Sequence, residues 1–276
     1  MLLGNVRSRY RGRGMEFEEV RHYQPGDDVR SIDWKVSARL GGTYTKLFCE
    51  ERERPCHILV DQRQSLFFGS AYQFKSVLAA EVAAALGWAA LAGGDRVGGQ
   101  VLGDTIEHDC RARRNTQAVL RLIHDIHDLN HALYEIQANP DQELTASNPQ
   151  SLANSLEECH RITRPGTSIY LVSDFHDFDQ AAVKALTTLG KHTDITLIQI
   201  NDPIELEIPL LGSVAISDGQ ASSRMRISKS IQHAYLSEVD KRILNLKTAA
   251  AQSRAHYAHI STTESARDAL VKIFGV

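Results

Sequence analysis

The chain has 276 residues, 42% of them hydrophobic and 24% charged, enough for one large α/β domain with an appendage. Its formal net charge of −3 argues against a whole-protein polyanion binder. Cys49, Cys56, Cys110 and Cys159 are scattered without a C-x-x-C pair, which argues against a disulfide framework or zinc site and for a reducing cytoplasm.

The N-terminus, Met-Leu-Leu-Gly-Asn-Val-Arg, lacks the apolar core of a signal peptide. Arg7, Arg9, Arg11 and Arg13 then alternate, either as an arm for phosphate or an acidic partner or as a polar terminus with solvated charge. Pro25-Gly26-Asp27 reads as a turn, and Asp33 as the cap of a short helix beginning at Trp34, with Arg30 and Arg39 near enough to pair with acids. Gly41-Gly42 breaks the chain before an alternating strand over 43–48. Residues 1–54 therefore form a small β-rich appendage, and 55–276 a separate α/β domain.

His57-Ile58-Leu59-Val60 has the apolar character of a fully buried parallel strand, and it runs into Asp61. A helix follows over 71–92, with an apolar face at Phe74, Val77, Leu78, Val82, Ala85, Leu86 and Ala89. That spacing and Glu81 describe a helix packed on a sheet rather than a membrane span. Further along come a strand at 95–102, a hairpin partner at 105–110, and a helix from Asn115 to about Asn130 buried through Leu120, Ile123 and Ile126. A loop spans 138–150 and a helix 151–162.

The strand at 168–172 also ends in an acid, Ser173-Asp174, before a helix at 179–190 and a strand at 195–200. Residues 203–217 read as a hairpin excursion; a helix at 229–252, a strand at 256–260 and a helix at 264–274 close the chain. Strands and helices alternating at this spacing predict a mostly parallel, doubly wound α/β sheet.

In such a sheet Asp61 and Asp174 both face the crevice at the carboxyl edge, with hydroxyls from Ser65 and Ser173 nearby. They serve equally well as a site for a hard cation such as Mg²⁺ or as caps of the helices that follow. His124, His127 and His131 share a helix face, but without H-E-x-x-H they read as a solvated polar surface. There is no phosphate-cradling glycine loop and no G-x-S-x-G elbow.

Asp61-Gln62-Arg63-Gln64-Ser65 resembles the D-x-S-x-S metal-adhesion motif of von Willebrand factor A domains, and Ser173-Asp174-Phe175 resembles its distal aspartate. Arg21-His22-Tyr23-Gln24-Pro25-Gly26-Asp27-Asp28-Val29-Arg30-Ser31-Ile32-Asp33-Trp34 and Ala38-Arg39 resemble the signature of the bacterial domain-of-unknown-function family number fifty-eight. The resemblance implies a β-rich segment joined to a von Willebrand A-like (Rossmann-like) domain. It also implies a protein-binding partner of a MoxR-type AAA+ ATPase and of a protein client, not an enzyme.

Two of the family's five ligands are altered here: Arg63 stands where a serine should face the cation, and the threonine position falls on Gln150 or Ser151. A guanidinium cannot ligate a metal. We expect Arg63 to fold over Asp61 and Asp174 as an internal countercharge, leaving no cofactor; the alternative keeps a weak Mg²⁺ site on Asp61, Ser65 and Asp174. The crevice residues Asp61, Arg63, Ser65, Gln150, Ser173 and Asp174 would then dock a partner. Tyr23, Asp27, Asp28, Arg30 and Trp34 would orient it, while Asp33, Trp34 and Arg39 serve structure through a buried Arg–Asp network. The competing activity is a metal-dependent phosphohydrolase on Asp61 and Asp174, with His176 and Arg63 conscripted. Nucleic-acid binding through Arg7–Arg13 lacks aromatic interleaving, and membrane insertion is not expected.

Overall fold

Turn chemistry shapes the first of two units, Leu3–Glu53; the second is Arg54–Val276. The computed structural model describes residues 15–50, 54–104, 107–138, 150–208, 213–217 and 222–275. The Arg7–Arg13 run and most of the expected loop at 138–150 lie outside the described residues.

In the first unit β1 (Met15–His22) pairs antiparallel with β2 (Tyr44–Glu50). Between them Gly26 takes φ +107°, and Asp27 closes the turn by accepting from the Gln24 amide at 2.9 Å and from Arg21 at 2.7 Å. Asp28 caps a single 3-10 turn, and Asp33 caps α1 (Trp34–Leu40), as its position predicts. The expected buried Arg–Asp network around Trp34 and Arg39 does not form: Trp34 is 70% exposed and Arg39 is exposed too. A seven-residue helix has one inward stripe, here Val36 and Ser37, and Trp34 falls off it. Arg21 pairs with Asp27 in this unit, and Arg30 is exposed.

The second unit is built on a six-stranded sheet. Its strands are β3 (Pro55–Asp61), β4 (Arg96–Leu102), β5 (Glu107–Arg113), β6 (Ser168–Ser173), β7 (Asp194–Asn201) and β10 (His256–Ser261). They lie in the order β10-β7-β6-β3-β4-β5, parallel except for β5, which runs antiparallel at one edge. The reversal of strand order on either side of β3 sets a crevice at its carboxyl end. Gly98 lets β4 and β5 approach closely, since a Cβ there would meet the Cys110 carbonyl at 2.6 Å.

Helices cover both faces of the sheet. Ile58, Val60, Val97 and Val101 pack on one side under α2 (Lys75–Ala92), α3 (Thr116–Ala138) and α8 (Ala266–Phe274). Leu59, Leu102, Leu171 and Leu197 pack on the other under α4 (Leu152–Ile162), α5 (Gln180–Leu189) and α7 (Lys229–Gln252). By length and composition α2 is apolar enough to cross a bilayer, but Ala79, Val82, Ala83, Leu86 and Ala90 bury one stripe of it in this core.

Two inward faces differ from expectation. On α2 the buried stripe includes Lys75 and Ala79, while Phe74 is 42% exposed. On α3 Val119 and Leu122 point inward with Ile126, and Leu120 is 51% exposed. Both helices carry apolar residues on several sides, so spacing alone places Leu78, Val82, Leu86 and Ile126 inside but misplaces Phe74 and Leu120. The hairpin expected at 203–217 is displaced. Residues Pro203–Leu206 form a short helix, α6, and the hairpin is β8 (Ser213–Ser217) with β9 (Ser222–Arg226). The cause is a capping box, with Asp202 and Glu205 satisfying each other's backbone amides and Pro203 at the first helical position.

Candidate functional site

The crevice is built where β3 and β6 end. Asp61, the last residue of β3, is fully buried. Its carboxylate collects four donors: the Arg63 amide and Nε on Oδ1, each at 3.0 Å, and Arg63 Nη2 and Ser173 Oγ on Oδ2, each at 2.7 Å. Burial pushes the Asp61 carboxyl up, and Asp174 adds to this, while Arg63 and Ser173 pull it down. All four contacts donate to the carboxyl, so the ionised form is the one this geometry satisfies.

Arg63 bridges outward. Its Nη1 and Nη2 reach Asp177 at 2.6 and 2.8 Å, so the guanidinium is clamped between two carboxylates in fork geometry. Burial works against the charge on Arg63, but the two acids outweigh it and hold its pKa above the usual value. Asp177 is held below the usual carboxylate range despite its own burial, because Arg63 and the Leu152 amide stabilise the anion. Through Leu152 the same acid also fixes the start of α4.

The second cation is Lys75, the first residue of α2, whose side chain is 2% exposed. Its Nζ lies 2.9 Å from Asp174 Oδ2 and 2.6 Å from Glu205 Oε1. Burial opposes the ammonium, but Asp174 and Glu205 offset it and raise its pKa. Asp202 completes the edge. It is fully buried and accepts from the Ser70 hydroxyl and amide, the Ile204 amide and the Thr262 hydroxyl.

The expected residues are thus partly brought together. Arg63 does fold over Asp61, but its second acid is Asp177, and Asp174 goes to Lys75. Phe175 adopts φ +55°, unusual for a bulky residue, and so turns the chain sharply between Asp174 and Asp177. Ser173 bonds Asp61, whereas Ser65 sits half-buried in the 3-10 turn Gln64–Leu66 and bonds neither aspartate. Gln150 contributes its backbone: its carbonyl accepts from Arg63 Nη1 at 3.4 Å and its amide donates to the Asp104 carbonyl. The Ser151 hydroxyl caps α4. His176 is exposed, with its amide on Asp174. His124, His127 and His131 are exposed along α3. Lys75, Asp177, Asp202 and Glu205 were not anticipated.

This donor set does not fit a divalent cation. A metal between Asp61 and Asp174 would have to expel a guanidinium and an ammonium, each held by two acids. Among the described residues no cluster of three or more His, Cys, Asp or Glu side chains is arranged to hold a metal.

The strand order, with a lone antiparallel edge strand and an acid-bearing crevice at the carboxyl end of β3, defines a von Willebrand A-like domain. More particularly, the chain belongs to the family described as protein of unknown function DUF58, whose model matches residues 19–264. Uncharacterized proteins of Mycobacterium bovis and Mycobacterium tuberculosis are each 28% identical over 210 residues, 76% of this chain and 62% of theirs. The chain therefore spans about three fifths of the length of these curated relatives. Among solved structures, the conserved hypothetical protein BatB from Bacteroides thetaiotaomicron aligns over 80% of this chain and 97% of its own, at 11% identity and a TM-score of 0.49. A von Willebrand factor type A protein from Catenulispora acidiphila covers 84% of this chain and 45% of its own, at 12% identity and a TM-score of 0.40.

Proposed function

We propose that the chain is a non-enzymatic, cytoplasmic protein-binding adaptor that works with a MoxR-type AAA+ ATPase on a protein client. It docks through the carboxyl edge of its von Willebrand A-like sheet. The observation that carries this reading is the loop at 67–74, which joins the Arg63 turn to Lys75. On it Phe68, Tyr72 and Phe74 are 41%, 78% and 42% exposed. Aromatic side chains grouped on one surface loop beside buried charge are the composition of a protein interface.

The crevice supplies the polar half. In each cluster the inner acid, Asp61 or Asp174, is buried, while the outer acid, Asp177 or Glu205, has a side chain 32% or 30% exposed. A partner's carboxylate can therefore compete for Arg63 or Lys75 from outside. No divalent cation is required for this docking. A phosphohydrolase built on Asp61 and Asp174 would first have to lose both cations, so we assign these acids no catalytic role.

The test is calorimetric titration of the full chain with a MoxR-type AAA+ ATPase. Tyr72→Ala with Phe74→Ser should weaken binding by about tenfold or more, as loss of interface aromatics does, and a chelator should leave it unchanged. Undiminished binding of the double variant would remove the docking face. Loss of binding in chelator would restore the metal.

A further inference from the structure

The opposite end of the sheet holds a cavity of about 450 Å³. Pro55 and Arg96 open β3 and β4 there, and Thr167 precedes β6, so it lies at the amino edge, away from Asp61. Its charged and polar walls are His57, Arg96, Asp109, Arg111, Thr163 and Arg164. The three arginines are exposed, and among the described residues no ion pair or hydrogen bond engages their guanidinium groups.

His57 is the informative residue. It is 5% exposed and lies on β3 in the wall of the cavity. Its Nε2 lies 2.9 Å from Gln100 Oε1. The Gln100 amide nitrogen donates to Glu107 at 2.9 Å, so its oxygen is the acceptor and His57 Nε2 carries the proton. Burial lowers the His57 pKa to about 4, so the ring is neutral. Nδ1 is then a bare lone pair, and no described residue donates to it.

The cavity thus asks for two chemistries at once. Guanidinium groups select oxyanions, and the imidazole lone pair selects a hydrogen-bond donor. A phosphoryl group that keeps one P–OH offers both on the same tetrahedral centre. Sulfate, with the same shape and charge, has no proton to donate. The volume exceeds one phosphate, and Pro55 and Ile162 present apolar surface for an attached organic group. Asp109 and the carbonyl end of α4 oppose an anion, but three guanidiniums outweigh them.

We propose that this amino-edge cavity binds a small phosphorylated molecule, its phosphoryl oxygens on Arg96, Arg111 and Arg164 and its P–OH donated to His57 Nδ1. The proposal is independent of the docking role of the crevice. Titration of the full chain with inorganic phosphate and with sulfate at about pH 8.5, where phosphate is HPO₄²⁻ with sulfate's charge and one P–OH, tests it directly. Phosphate should bind about tenfold tighter than sulfate, because sulfate leaves the imidazole acceptor unpaired. Arg111→Gln with Arg164→Gln should abolish phosphate binding while leaving the thermal transition in place. Equal affinity for the two ions, undiminished phosphate binding by the double variant, or no phosphate binding at about 10 mM, weaker than a typical metabolite site, would overturn the assignment.

Discussion

The two ends of the central sheet handle charge in opposite ways. At the carboxyl edge Arg63 lies between Asp61 and Asp177, and Lys75 between Asp174 and Glu205, all within 2.9 Å through their closest contacts. At the amino edge Arg96, Arg111 and Arg164 surround a cavity with one carboxylate, Asp109, and no contact pair. Charges that are buried and matched fix loops in one arrangement, at little net gain over an apolar core. Charges left unmatched around a concavity cost little because water reaches them, and they are available to a ligand.

The largest test breaks a pair. Arg63→Met leaves Asp61 and Asp177 without their cation and should cost about 3–5 kcal/mol, read as a fall in the urea midpoint of the α/β unit. Adding Asp61→Asn should recover part of that loss; no recovery would mean that the damage is packing rather than charge. Arg63→Ser with Lys75→Met rebuilds Asp-Gln-Ser-Gln-Ser and frees Asp174. That variant should bind Mn²⁺ at least about tenfold more tightly than the parent, measured by calorimetry. Equal binding by both chains would contradict the role given to the two cations.

An intermediate effect belongs to His57. Its folded pKa of about 4 lies below the unfolded value near 6.5, so the unfolded chain takes up the proton first. Stability should therefore be full above pH 6.5 and fall by about 3 kcal/mol as pH drops toward 4. His259, also held low by burial, adds to the same slope. Stability that stays flat between pH 7 and 4.5 would show that the ring is not buried neutral. The smallest effect is at the unpaired arginines: Arg111→Gln should change stability by no more than about 0.5 kcal/mol, because no contact is lost.

Much of the α/β framework was legible, since β3, β6 and β7 read as apolar runs and Asn115, Ser151 and Asp179 mark helix starts. Asp61 and Arg63 were found because a guanidinium at a ligand position is chemically conspicuous. Lys75 was not, because a lysine at the start of an Ala-rich helix has the same local pattern whether solvated or buried. Asp177 escaped because its approach to Arg63 depends on the left-handed backbone of Phe175, which no residue type announces. Helix α6 was readable in principle: Asp202-Pro203-Ile204-Glu205 is a capping signature, but the surrounding apolar alternation favoured a hairpin. The amino-edge cavity assembles residues from β3, β4, β5 and the end of α4, so no local stretch contains it.

The contacts that close the carboxyl edge also set when it can exist. Lys75 meets Asp174 across 99 positions, Arg63 meets Asp177 across 114, and Ser70 meets Asp202 across 132. Bringing together residues so far apart in sequence is slow, as is the β3–β6 pairing that spans a similar distance. During synthesis β3 and the aromatic loop emerge long before the acids that hold them in place. The carboxyl-edge loops therefore lack the acids that hold them until residue 205 has left the ribosome, and only a chain that has assembled β6 and β7 can fix them in place.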